Sequence, residues 1–131
     1  MKRVVITGLG VVSPVGSNIV DFTHSIRAGA SGIKFIPQLA EKEFRCQVGG
    51  IPVLKPEQFD LLEKYELALT SNYLKYAFIA GIEAWIDARF KIPAADDRHV
   101  FYDAGSIIGT GFAGIDLIAG RLVPAINSNQ L

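Results

Sequence analysis

Several groups of residues in this 131-residue chain have the types and spacing that could do chemistry. Residues 109–114 read Gly-Thr-Gly-Phe-Ala-Gly, the G-x-G-x-x-G spacing that brings a backbone close to a pyrophosphate at a helix N-terminus. A dinucleotide site also wants an acid about 20 residues further on for the ribose hydroxyl, and no acid follows Asp116. Close packing of strand, turn and helix explains the spacing better. Thr7-Gly8-Leu9-Gly10 could open a nucleotide-binding reductase, but Val12 and Pro14 stand where that pattern wants glycines or a helix interior. A proline inside a helix costs about 3 kcal/mol, so the Thr-Gly turn reads as structural. Cys46 is the one thiol. A reactive thiol sits at a helix N-terminus or beside a cation, whereas Phe-Arg-Cys-Gln-Val-Gly-Gly reads as a strand with Arg45 as the adjacent cation. A small buried role is expected there. His24 falls in an expected helix, at the surface or half-buried, and His99 opens an expected strand. Asp96-Asp97 is a solvated loop pair, and no nucleophile elbow is present. Two distant histidines and one cysteine leave a metal almost no ligands. These residues alone assign no catalytic residue, no cofactor site and no metal site.

Composition narrows the classes further. The length suits one domain, and with 50% hydrophobic and 20% charged residues a sizeable core is expected. Thirteen basic residues balance 13 acidic ones, with no clustered Lys/Arg to meet nucleic acid or an anionic membrane. A single cysteine excludes an internal disulfide, and a reducing, cytoplasmic setting is expected. The opening MKRVVITG has a basic pair, but its apolar run ends after three residues, too soon for a signal peptide.

The elements that must hold these residues are organised around residues 61–90, LLEKYELALTSNYLKYAFIAGIEAWIDARF. Leu62, Tyr65, Leu69, Tyr73, Tyr76, Ala77, Ala80 and Ala84 recur at helical spacing, and Leu74, Phe78, Ile82 and Trp85 form a second line. A helix apolar on most of its circumference is buried. Lys75, Glu83 and Asn72 argue against a membrane span. The reading is one long central helix, with small residues (Ala77, Ala80, Gly81, Ala84) admitting close neighbours.

Before it, residues 3–7 (RVVIT) read as a buried strand. Residues 18–28 read as a helix capped by Ser17 or Asn18, with Asp21 in its first turn, Ile19, Phe22 and Ile26 buried, and Gly29 as its stop. Residues 33–56 show no sustained period, though residues 45–51 could form a short strand with a glycine bulge. After the central helix, residues 99–108 read as a strand and residues 115–123 as a helix ended by Pro124. The order implies an α/β layered domain. Two clear strands and a weak one cannot cover a helix buried on most sides. The core therefore looks incomplete, to be finished by further chain or a second subunit.

Taken together, these motifs resemble the β-ketoacyl-[acyl-carrier-protein] synthases of the elongating type. Residues 4–16, Val-Val-Ile-Thr-Gly-Leu-Gly-Val-Val-Ser-Pro-Val-Gly, are similar to the family's opening strand, Thr-Gly-x-Gly turn and Ser-Pro-x-Gly approach to a first helix. Ala28-Gly29-Ala30-Ser31-Gly32-Ile33 resembles the end of that helix. Residues 76–84 (YAFIAGIEA) resemble the small-residue centre of the family's buried helix, and residues 108–114 its Ile-Gly-Ser/Thr-Gly-x-Gly-Gly turn.

The resemblance implies an α/β, thiolase-like fold, here an incomplete first half with a long buried central helix, in proteins that are usually homodimers. It implies acyl transfer from acyl carrier protein to a cysteine at a helix N-terminus, decarboxylation of malonyl-carrier protein and Claisen condensation, with two histidines assisting. A helix end and charge-stabilising donors suit that carbanion chemistry. Cys46, His24 and His99 match none of those three residues; the nucleophile motif is expected a few tens of residues beyond Leu131. Phe112 matches a position that faces the acyl pocket, where its bulk would narrow the pocket. Ala113 replaces a usual glycine, and Lys64-Tyr65 stands in a region often more basic in the family.

Three functions follow as expectations. The first is the N-terminal portion of a ketosynthase of fatty-acid or polyketide synthesis, inactive by itself. The second is a ketosynthase-like scaffold or partner subunit without chemistry. The third is a nucleotide-binding domain using residues 109–114.

Overall fold

The computed structural model describes residues 3–67, 71–92, 94, 96–100, 102–111 and 114–128. In chain order the described elements are helix α1 (Ile19–Arg27), strand β1 (Ile33–Phe35), helix α2 (Pro37–Glu41), strand β2 (Val48–Gly50), helix α3 (Pro56–Lys64) and helix α4 (Asn72–Asp87). A terminal helical run starts as α5 (Ile115–Leu117), widens into a π-helical turn (Ile118–Leu122) and closes as α6 (Val123–Asn127). The architecture mixes α and β, with a small antiparallel sheet in which Ile33 faces Gly50 and Phe35 faces Val48.

α1 forms where the sequence places it. Asn18 is the N-cap: its Oδ1 accepts from the Asp21 amide at 2.8 Å, and its Nδ2 donates to Asp21 Oδ2 at 3.1 Å. Gly29, at φ +65°, turns the chain into the left-handed region, and the amides of Gly29 and Ala30 return to Ile26 O and Ser25 O. The expected burial does not follow. Ile19 and Phe22 are half-buried and Ile26 is 56% exposed, because little in this chain covers that face.

The single long helix expected over residues 61–90 is two helices. α3 starts earlier, at Pro56, a residue favoured in the first helical turn because its missing N–H would be unpaired there. It ends at Lys64 with Glu66 in the left-handed region at φ +58°. Glu66 N donates to Glu63 O at 3.0 Å and Leu67 N to Leu62 O at 2.8 Å, the paired closing bonds of a Schellman stop. The same stop recurs at Glu43 after α2 and at Arg89 after α4, again without glycine. The left-handed region costs a non-glycine residue about 1–2 kcal/mol, so periodicity and glycine punctuation give no warning of these breaks. Tyr65 and Phe78 then pack at 5.2 Å between ring centroids, tying the end of α3 to α4.

Other strand expectations also change. Residues 3–7 form no strand among the described residues, and Val4 is 97% exposed. The described residues of 99–108 form no strand either. A β-branched run becomes a strand only where a neighbour takes its ladder hydrogen bonds. In the stretch read as irregular, β1, α2 and β2 form. The strand expected over residues 45–51 contracts to Val48–Gly50 and pairs residue for residue, without a bulge. Pro124 does not end the last helix. Val123 N bonds to Ile118 O, and the wider π turn lets Pro124 start α6 where its missing N–H is harmless.

Among the described apolar residues, Leu62 of α3 and Ile79 of α4 are the buried ones. The chain exposes 10873 Å², whereas a folded monomer of its mass exposes about 6,800 Å². α4 is thus central in position but, with Ile79 its one buried described residue, not the helix buried on most sides that its sequence predicts.

Candidate functional site

The opening glycine motif docks on α4. At its C-terminal half lies segment 8–11. Gly8 and Gly10 sit directly on the helix backbone: a Cβ on Gly8 would stand 2.1 Å from Ala84 O, and one on Gly10 would stand 2.0 Å from Ala80 O. Ala80, Ala84 and Ala88 supply the low surface that this approach needs. The intervening amides point at acids one helical turn apart. Leu9 N donates to Asp87 Oδ2 at 2.9 Å, and Val11 N to Glu83 Oε2 at 2.9 Å. Glu83 Oε1 also accepts from Ile19 N, the first amide of α1, at 2.7 Å. A carboxylate at a helix N-terminus is favoured by the helix dipole and by the unpaired first-turn amides. One side chain therefore joins three elements: the opening segment, α1 and α4.

A second joint holds α3. Gln58 Nε2 donates to Ser17 O at 2.6 Å while its Oε1 accepts from Lys55 N at 2.9 Å. Lys55 Nζ stands 2.6 Å from Asp21 Oδ2. The ammonium beside it holds the Asp21 carboxyl below its usual range, and Asp21 in turn raises Lys55.

At the other end of α4 stands Asp116, in the helical run that follows residues 109–114. Gly114, at φ +81°, caps α5, and Asp116 Oδ2 accepts from Asn72 N, the first amide of α4, at 2.8 Å. Burial pushes the Tyr76 phenol upward, with a smaller contribution from the Asp116 charge. Phe112, the expected acyl-pocket residue, lies outside the described residues, as does Ala113. α4 also presents an apolar groove of about 520 Å³ lined by Leu74, Ala77, Phe78, Gly81 and Trp85, together with Ile108.

The remaining candidates stand apart from these joints. Cys46 is exposed rather than buried, in the segment before β2; its Sγ donates to Val48 O at 3.6 Å. His24 is exposed on α1, and His99 is exposed in the segment after α4. Among the described residues no three His, Cys, Asp or Glu side chains converge as metal ligands, and no helix is long and apolar enough to cross a membrane. Residues 109–111 follow no strand among the described residues and lead into a three-residue α-helical turn, so the context a dinucleotide turn requires is missing there. Sequence reasoning missed Glu83, Asp87, Gln58 and Asp116. The usable signal was Glu83 and Asp87 four apart, flanking Ala80, Ala84 and Ala88, with glycines alternating at 8 and 10.

A Thr-Gly-x-Gly segment docked on a small-residue helix agrees with the family comparison. Residues 1–122 match the model of the β-ketoacyl synthase N-terminal domain. The chain belongs to the β-ketoacyl synthase family. It is 38% identical over 111 residues to 3-oxoacyl-[acyl-carrier-protein] synthase 1 of Escherichia coli K12, covering 85% of this chain and 26% of that protein. It is 35% identical over 130 residues to synthase 1 of Buchnera aphidicola, covering 99% of this chain and 31% of that protein. Against synthase 2 of Coxiella burnetii it is 32% identical over 120 residues, covering 89% and 27%. The chain thus spans between a quarter and a third of the length of these curated relatives. The family carries a thiolase-like fold.

Proposed function

We propose that these residues form the first part of a 3-oxoacyl-[acyl-carrier-protein] synthase, an acyltransferase that condenses an acyl thioester with malonyl-carrier protein in fatty-acid or polyketide synthesis. The observation that carries this is the family match over residues 1–122. The surface supports it. The exposed area exceeds that of a folded monomer by roughly 4,100 Å², and much of the excess is apolar: Val4, Val5, Ile6, Ile107 and Ile108 are each more than two-thirds exposed. Such a surface is what a domain core looks like when its other layers are removed. The unpaired segment 3–7 and the α4 groove are the faces that further synthase polypeptide would cover, completing a thiolase-like half with α4 at its centre.

In this reading the chain frames the reaction and does not perform it. The nucleophilic cysteine and the two histidines lie elsewhere in the enzyme. Cys46 stands exposed before β2 and not at a helix N-terminus. Acyl and malonyl groups arrive on acyl carrier protein, the Phe112 side chain borders the acyl pocket, and the full-length enzyme is a cytoplasmic homodimer.

The test is the protein expressed from its own gene in its own cells. Intact mass three to four times that of this chain, with decarboxylation of malonyl-carrier protein and condensation by the purified enzyme, is the expected result. A stable, folded protein of this chain's mass without condensation activity would overturn the proposal in favour of a ketosynthase-like scaffold or partner subunit.

A further inference from the structure

The Ser-Pro-x-Gly turn at residues 13–16 forms one wall of a cleft of about 680 Å³. The wall is rigid. Ser13 N donates to Gly16 O at 2.9 Å, Gly16 N to Ser13 O at 3.2 Å, and Val15 N to Ser13 Oγ at 3.3 Å. A Cβ on Gly16 would stand 2.4 Å from Phe22 N, so the turn is seated on α1. A Cβ on Gly32 or on Gly50 would stand 2.7 Å from a side-chain carbon of Pro14, so the β1–β2 hairpin is seated on the turn. The segment before α3 supplies a further wall, and Gln58 ties it in through Ser17 O and Lys55 N. Backbone packing thus holds the cleft in a formed state, as ligand sites usually are.

Hydrogen-bond donors line it. Ser17 is 4% exposed, and its hydroxyl has no hydrogen-bond partner among the described residues. A buried hydroxyl is costly to leave unpaired. In the first turn of α1, Glu83 takes Ile19 N and Asn18 takes Asp21 N, while Val20 N has no partner among the described residues. His24 follows Val20 one turn later on the same face. Lys34, from β1, makes no ion pair among the described residues. Asp21 is the one acid among the described lining residues, and it is committed to Lys55 Nζ and Asn18 Nδ2. The charge left over on the lining is therefore positive.

We propose that this cleft binds the phosphate monoester of a small organic molecule, with Ser17 Oγ, Val20 N and Lys34 Nζ donating to the phosphate and Val53 and Leu54 covering the organic part. Phosphate oxygens are acceptors only, and a monoester offers three of them to donors that come from three elements. The cleft falls in the size range of sites for whole organic ligands, so inorganic phosphate would leave most of it unfilled. The site is separate from the condensation chemistry and does not depend on it.

Calorimetric titration of the full-length protein with phenyl phosphate, inorganic phosphate and benzoate tests this. Phenyl phosphate is expected to bind saturably with a Kd below about 1 mM, and the other two at least about tenfold more weakly, since one lacks the organic part and the other the third charged oxygen. Ser17→Ala and Lys34→Met should each raise the phenyl phosphate Kd about tenfold, the loss of one charge-assisted hydrogen bond. Both variants should fold as wild type does, because the Ser17 hydroxyl holds no other group and the Lys34 side chain is exposed. Should Ser17→Ala fail to fold, Lys34→Met decides alone. Absence of saturable binding, or a Kd unchanged within about twofold in the folded variants, would overturn the proposal. Benzoate binding as tightly as phenyl phosphate would refute the phosphate, and inorganic phosphate doing so would refute the organic part. No condensation is measured, so failure here and failure of the synthase proposal are read separately.

Discussion

Replacing Gly10 with alanine tests whether the Thr-Gly-x-Gly motif is a docking surface or a ligand turn. The new Cβ would stand 2.0 Å from Ala80 O and 2.7 Å from Ala84 N. Both are backbone atoms inside α4, so no rotamer change relieves the contact and segment 8–11 must lift from the helix. Lifting breaks Leu9 N to Asp87 and Val11 N to Glu83. Hydrogen bonds to charged acceptors contribute about 1.5–3 kcal/mol each, so the pair holds the segment by at least about 3 kcal/mol. In amide exchange on the full-length protein, that loss appears as a fall of roughly a hundredfold or more in protection at Leu9 and Val11. α4 itself should exchange as before at its central turns. Wild-type protection at both amides in Gly10→Ala would show that the segment is not seated on α4, and the structural account of the motif would be wrong.

Four further outcomes follow from the same geometry. Glu83→Gln leaves one carbonyl oxygen to serve both Val11 N and Ile19 N and turns an amide donor toward one of them; a loss of about 2–3 kcal/mol in denaturant melts is expected, with no loss counting against Glu83 as the joint. Glu66→Gly should slow exchange at the end of α3 by stabilising the left-handed stop by about 1 kcal/mol; destabilisation would mean that the Glu66 side chain makes a contact worth more than the strain. Gly81→Ala gains up to about 1 kcal/mol of helix propensity when the α4 groove is open, so lowered stability in the full-length protein is the sign that another layer fills the groove, and a gain there would argue that nothing covers it. For the Asp21–Lys55 pair, the lowered Asp21 pKa means its contribution is present above the ordinary value of 3.8 and is lost as pH falls through the folded value below that; the raised Lys55 pKa means its share is present below 10.5 and is lost as pH rises through the folded value above that. The stability difference between wild type and Lys55→Met should therefore persist between those limits, shrink outside them, and fade in 1 M salt as surface pairs do.

Some of this protein was written in local sequence. α1, its Asn18 cap and its Gly29 stop need only short-range chemistry: a side-chain acceptor for a first-turn amide and a residue free to adopt positive φ. Gly114 opens the terminal helix for a similarly local reason. The motif resemblance to β-ketoacyl synthases was legible because glycines, prolines and small residues in fixed order record close backbone approaches that few folds demand. The expectation that few strands would cover the apolar helix rested on counting strands, and in the structure Ile79 is the one buried described residue of α4.

Tertiary structure decided the rest. Whether residues 3–7 and 99–108 are strands depends on a neighbour to accept their ladder, and periodicity cannot supply one. The break between α3 and α4 rests on Glu66 tolerating a left-handed backbone, a strain offset by the Schellman bonds and the Tyr65–Phe78 contact. Glu83 and Asp87 read as solvated charges near a helix end until the chain brings Leu9, Val11 and Ile19 amides to them from more than sixty residues away. Composition could count those carboxylates; it was the close approach of Gly8 and Gly10 to α4 that turned them into the joint between the opening segment, α1 and α4.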